Sequence, residues 1–105
     1  MYYVSKVYND PEIKKRKVVG IFLSNKHPKY KKCIGCNGIY FDLETNIYRI
    51  IVNGYVIENI IYNNILDAMS KESIFKEINS FTLRRFIDKI NQNMKWGKLC
   101  LNIYI

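Results

Sequence analysis

Histidine occurs once, at His27, proline twice and cysteine three times in 105 residues. A single histidine excludes sites built on two imidazoles, the His-Glu-x-x-His zinc hydrolases among them. The chain also has no Gly-x-Ser-x-Gly elbow, Walker loop or dinucleotide-binding glycine loop. Apolar runs are only a few residues each, where a membrane-spanning helix needs ~20. The start of the chain, YYVSKVYND after Met1, lacks the apolar core and small-residue cleavage site of a secretory signal. These absences predict a non-enzymatic protein with no membrane partner, in the cytoplasm of the producing or host cell. Internal repeats and low-complexity segments are absent too.

Acidic residues are scarce: 9 Asp and Glu face 17 Lys and Arg, giving a net charge of +8. Residues 1–42 hold nine cations against three acids, or +6, whereas residues 43–105 hold eight against six, or +2. A local excess of this kind attracts phosphates or an acidic partner. What is abundant points to a core. An apolar fraction of 49%, with 14% aromatic, is too rich for a disordered chain, and the length suits a single domain spanning residues 1–105. Heavy use of Ile, Asn, Lys and Tyr is what an A/T-rich coding sequence favours, as in low-GC bacteria, their phages or some viruses.

The stretch Ile47 to Ile61, IYRIIVNGYVIENII, is the structural centre. Two β-branched and aromatic runs flank Asn53-Gly54, a pair able to take the positive φ angles of a two-residue type I′ turn. Alternation places Tyr48, Ile50 and Val52 on one face of the first arm, and Arg49 and Ile51 on the other. On the second arm, Val56, Glu58 and Ile60 oppose Tyr55, Ile57 and Ile61. Tyr2–Tyr8, Val18–Leu23 and Ile39–Asp42 read as earlier strands, separated by polar segments. After Asn63-Asn64 the period lengthens. Ile65, Leu66 and Met69 are spaced for a short helix, and Ile74, Phe75 and Ile78 for another, with Ser70 or Ser73 as caps. Leu83, Phe86, Ile87, Ile90 and Met94 mark a longer helix capped by Ser80 or Thr82 and terminated near Gly97. Leu99–Ile105 alternates again as a last strand. The expected fold is α+β: a small antiparallel sheet of four to six strands, two or three helices on one face, and a C-terminal strand returning to the sheet.

Cys33-x-x-Cys36 is the most specific local pattern. Two thiolates so spaced on a glycine-bearing turn can hold one tetrahedral ion, and His27 and Cys100 complete a Cys₃His set by count, making zinc the one cofactor to test. Reduced cysteines in a turn account for the same residues. Phe41-Asp42-Leu43-Glu44-Thr45 resembles the first motif of the DEDD family of 3′ to 5′ exonucleases. That resemblance covers five residues and implies metal ions held by Asp42 and Glu44, with Tyr62 and Asp67 echoing the closing motif. The family's base would be a late Tyr or His, and no histidine follows His27; a turn between two strands explains the pair without metal.

The basic segments carry the functional expectation. Lys14, Lys15, Arg16, Lys17, Lys26, Lys29, Lys31 and Lys32 place eight cations in nineteen residues without one acid, with Tyr30 offering an aromatic face among them. If the first two strands form a hairpin, the two runs lie about 20 Å apart at the rise of a strand. Arg84, Arg85 and Lys89 add a second basic face on the long helix. Lysine-rich surfaces favour phosphate contact over base readout. The expectation is a small basic protein binding RNA, DNA or a nucleoprotein complex. The alternative is a phage or mobile-element inhibitor, acting like anti-CRISPR proteins through protein-protein contact with a host defence or nucleic-acid-processing enzyme. A homodimer through a sheet edge is compatible with either.

Overall fold

The computed structural model describes residues 1–7, 20–26 and 35–94. The basic run Lys14–Lys17, the loop residues His27 to Lys32, Cys33, Gly97, Cys100 and the Leu99–Ile105 strand expectation lie outside the described residues. Among the described residues five strands form one antiparallel sheet in sequence order: β1 (Tyr3–Val7), β2 (Gly20–Ser24), β3 (Gly38–Asp42), β4 (Ile47–Val52) and β5 (Tyr55–Tyr62). Two helices follow, α1 (Ile65–Lys71) and α2 (Ser80–Asn93), with a short 3-10 helix (Ser73–Lys76) between them. This is the expected α+β arrangement.

Asn53 and Gly54 take φ values of 53° and 81°, the left-handed region at both central turn positions, so the type I′ hairpin forms where the sequence placed it. Gly38 is required for a different reason. It opens β3 opposite Ser24, and a Cβ there would sit 2.2 Å from the Leu23 carbonyl oxygen. A side chain would force the two strands apart.

The hairpin departs from simple alternation. Ile51 pairs with Val56 but Arg49 pairs with Ile61, so two residue steps on β4 span five on β5. The extra residues shift which side chains face the helices. Ile57, Ile60 and Tyr62 pack toward the same cluster, while Ile61 turns outward, 48% exposed. Ile57 and Ile60 thus share a face, where period-two alternation had opposed them. Across the irregularity Arg49 Nη1 meets Glu58 Oε2 at 3.6 Å.

The main core lies between sheet and helices. Ile21, Leu23, Ile39, Phe41, Tyr48 and Ile50 meet Ile65, Ala68, Leu83, Phe86, Ile87 and Ile90. The last four sit at the three- and four-residue spacing that lays one helix stripe against a sheet. Phe41 and Tyr48, cross-strand partners, have ring centroids 4.9 Å apart, and the Phe86 ring stands edge-on to Tyr48 at 6.5 Å. The sheet's other face carries a second buried cluster of Phe22, Cys36, Tyr40, Ile51 and Val56, in which the Phe22 and Tyr40 rings stack at 4.9 Å.

Asparagine, rather than serine or threonine, caps both helices. Asn64 accepts from the Asp67 N–H at 2.8 Å, and Asn79 from the Thr82 N–H at 2.8 Å. Both have extended backbones that aim the side-chain oxygen at the helix start. Ser80 and Thr82 therefore lie inside α2. Ser70 lies inside α1, its hydroxyl donating to the Asp67 carbonyl, and the 3-10 helix that begins at Ser73 has no side-chain cap. Among the described residues no helix is long and apolar enough to cross a membrane.

Candidate nucleic-acid interface

The strand order places β1 at a border of the described sheet, and α2 packs across β1 and β2. A groove of about 510 Å³ runs between them, lined by Val4, Ser5 and Lys6 from β1 and by Arg85, Asp88, Lys89 and Gln92 from α2. The four helix residues follow i, i+3, i+4, i+7 spacing, one stripe of the helix surface. The buried residues Leu83, Phe86, Ile87 and Ile90 repeat the same spacing two positions earlier and anchor the helix to the sheet. One stripe fixes the helix and the other is presented to solvent.

Three cations and one carboxylate line the groove, a local charge of +2. Gln92 and Ser5 add neutral donors and acceptors. Next to the groove, one turn before Arg85, Phe81 is 62% exposed, and the Arg85 guanidinium lies 6.0 Å from its ring centroid. Such an arrangement can neutralise phosphates and offer an aromatic face beside them.

Of the basic residues read from the sequence, Arg85 and Lys89 come together here. Arg84 is exposed on α2 but does not line the groove, and Lys26 is exposed beyond the end of β2. Lys14, Lys15, Arg16, Lys17, Lys29, Tyr30, Lys31 and Lys32 lie outside the described residues. Lys6 is the contributor that sequence reasoning passed over. A lone cation on a strand has no local signature, and only the packing of α2 over β1 brings it to Arg85 and Lys89.

Cys36 is fully buried in the second cluster, among Phe22, Tyr40, Ile51 and Val56. Its carbonyl accepts from the Gly54 N–H at 2.7 Å, and Asn37 Oδ1 accepts from the Asn53 N–H at 2.9 Å. This half of the Cys-x-x-Cys turn straps the hairpin turn to the sheet. Cys33, His27 and Cys100, its would-be zinc partners, lie outside the described residues, and the described residues hold no group of three His, Cys, Asp or Glu arranged for a metal.

The Asp-x-Glu pair forms a turn. Asp42 Oδ1 accepts from the Glu44 N–H at 2.8 Å and the Thr45 N–H at 3.4 Å, and the Asp42 carbonyl accepts from Asn46. Tyr62 and Asp67 are engaged elsewhere: the Tyr62 hydroxyl donates to Glu72 Oε2, and Asp67 lies 3.5 Å from the Lys71 ammonium. The bond to Glu72, with lesser contributions from burial and nearby negative charge, pushes the Tyr62 phenol up to about 12. A second recess, about 260 Å³, is lined by Tyr2, Ile50, Ile51, Val52, Ile74 and the carboxylates of Glu72 and Glu77, among others. Tyr2 donates to Glu77 Oε2 across it at 2.9 Å, and burial together with that bond raises the Tyr2 phenol.

Scanning the chain against protein-family models, curated proteins and solved structures gives no match in any of the three comparisons.

Proposed function

We propose that this chain is a small basic non-enzymatic binding protein that contacts nucleic acid, or a nucleoprotein complex, through the groove between β1 and α2. The observation that carries this reading is the convergence of Lys6, Arg85 and Lys89, from elements nearly eighty residues apart in sequence, on one groove. Cations gathered from distant elements, with Gln92 and Ser5 beside them, offer positive charge and hydrogen-bonding groups to a phosphate backbone. The basic residues at 14–17, 29, 31 and 32 add to the positive charge that draws the chain to a polyanion.

The test is fluorescence anisotropy with mixed-sequence RNA and DNA across a salt series. Affinity should be micromolar or tighter, and its logarithm should fall linearly with the logarithm of salt concentration, the slope counting the phosphates neutralised. The double variant R85E/K89E should lose most of the affinity and keep its melting temperature. Absence of binding at low salt would end this reading.

A second reading, a phage or mobile-element inhibitor of a host enzyme acting by protein-protein binding, is favoured by one observation. Val52 and Tyr55, cross-strand partners beside the hairpin turn, expose 47% and 61% of their surface. An aromatic-aliphatic pair on a rigid turn suits an interface anchor. This reading expects a stable complex with one host protein, lost in Y55S and indifferent to R85E/K89E.

A further inference from the structure

Resting on the basic-groove reading above, we infer that the ligand is single-stranded nucleic acid, with one base stacked on Phe81 and the adjoining phosphates held by Arg85, Lys89 and Lys6. The position of Phe81 carries the argument. Phe81, Arg85, Asp88 and Gln92 stand at i, i+4, i+7 and i+11, so this ring lies on the solvent stripe of α2 and not on the stripe of Leu83, Phe86, Ile87 and Ile90 that packs on the sheet. It is 62% exposed, in line with the cations of the groove. A large apolar ring left in water on a polar helix face gains from being covered. The groove beside it is charged to attract a polyanion.

A base in a duplex has both faces occupied by its neighbours, whereas a single strand can present one to a side chain. The Arg85 guanidinium stands over one face of the Phe81 ring, 6.0 Å from its centroid, which leaves the other face for a base and puts a cation next to the platform. Two turns separate Phe81 from Lys89, ~12 Å along the helix axis, which allows successive nucleotides to follow the stripe toward the groove. Asp88 lies among the cations and repels a phosphate placed directly over it. The same carboxylate accepts hydrogen bonds from an exocyclic amino group, as on cytosine or adenine. Sequence preference would be modest, because every base has a ring face and the groove holds few groups that read edges.

The experiment compares fluorescein-labelled single-stranded RNA, single-stranded DNA, a duplex and an abasic strand of equal length against the full chain and its F81L, F81Y and K6Q/R85Q/K89Q variants. The single strands should bind more tightly than the duplex and the abasic strand. F81L, which keeps an apolar side chain but removes the ring, should weaken single-strand binding about tenfold, a typical loss for one stacked base. Its salt slope should not change. F81Y should bind as the parent does, and both Phe81 variants should keep the parent melting temperature, since the ring is 62% exposed. If F81L binds like the parent, or the duplex or abasic strand binds as tightly as the single strands, while K6Q/R85Q/K89Q still loses affinity, stacking is wrong and the basic-groove reading survives. If no nucleic acid binds at low salt, both fall together. RNA tighter than DNA would assign the 2′-hydroxyl a contact within the same site.

Discussion

Tyr48 takes a hydroxyl into the middle of the core, and among the described residues that oxygen finds no hydrogen-bond partner. Burial alone raises its phenol far above the ordinary range. An unpartnered buried hydroxyl costs about 1–3 kcal/mol, so Tyr48→Phe should leave stability unchanged or raise it in chemical denaturation, whereas Phe86→Ala, emptying the adjoining ring site, should cost about 3–5 kcal/mol. Tyr62 behaves oppositely because its hydroxyl is used. Its folded pKa, about 12, exceeds the ordinary 10.0 because the neutral phenol donates to Glu72. The stabilisation is therefore full below pH 10 and is lost as pH rises through 12. Stability measured across that window should fall less steeply in Tyr62→Phe than in the parent; equal slopes would show that the bond does not form. At Cys36 the surroundings decide. A hydroxyl placed among Phe22, Tyr40, Ile51 and Val56 loses about 1–3 kcal/mol, so Cys36→Ser should lower the melting temperature even in chelator-treated protein. Complete burial supplies this cost without any metal.

Element boundaries depend on single side chains that close hydrogen bonds at the ends. Asn79 sets the start of α2 by accepting from Thr82, and Asn79→Ala should cost about 1 kcal/mol. Asn79→Asp should restore the loss, since a carboxylate accepts equally well and its charge is favourable at a helix N-terminus. Thermal melts of the two variants check this. Asparagine ranks with serine as a cap; Ser80 and Thr82, the two caps expected from the sequence, lie one and three residues past Asn79. The hairpin turn was fully legible because Asn-Gly encodes its backbone in two adjacent residues. The irregularity between β4 and β5 was not. It arises where the exposed Glu58 and Asn59 let β5 run three residues ahead of its partner, which brings both Ile57 and Ile60 to the core. Local alternation carries no record of such a slip, because it depends on which face the helices cover.

Across the whole molecule, charge is global in origin and local in effect. On the basic-groove proposal, Lys6→Gln, Arg85→Gln and Lys89→Gln should each flatten the salt dependence of nucleic-acid affinity by about one unit of log-log slope. If all three leave the slope intact, the ligand lies on another surface. The sequence by itself determined the α+β class, the Asn53-Gly54 hairpin, the buried stripe of α2 and the positive excess, because each follows from residue type, short-range spacing or a count. Tertiary structure alone decided which cations meet. Lys6 joins Arg85 and Lys89 only because α2 crosses β1, and Phe81 becomes an exposed platform only because the neighbouring stripe is consumed by the sheet. Proximity between distant segments comes from how a whole core packs, and no stretch of sequence contains that packing alone.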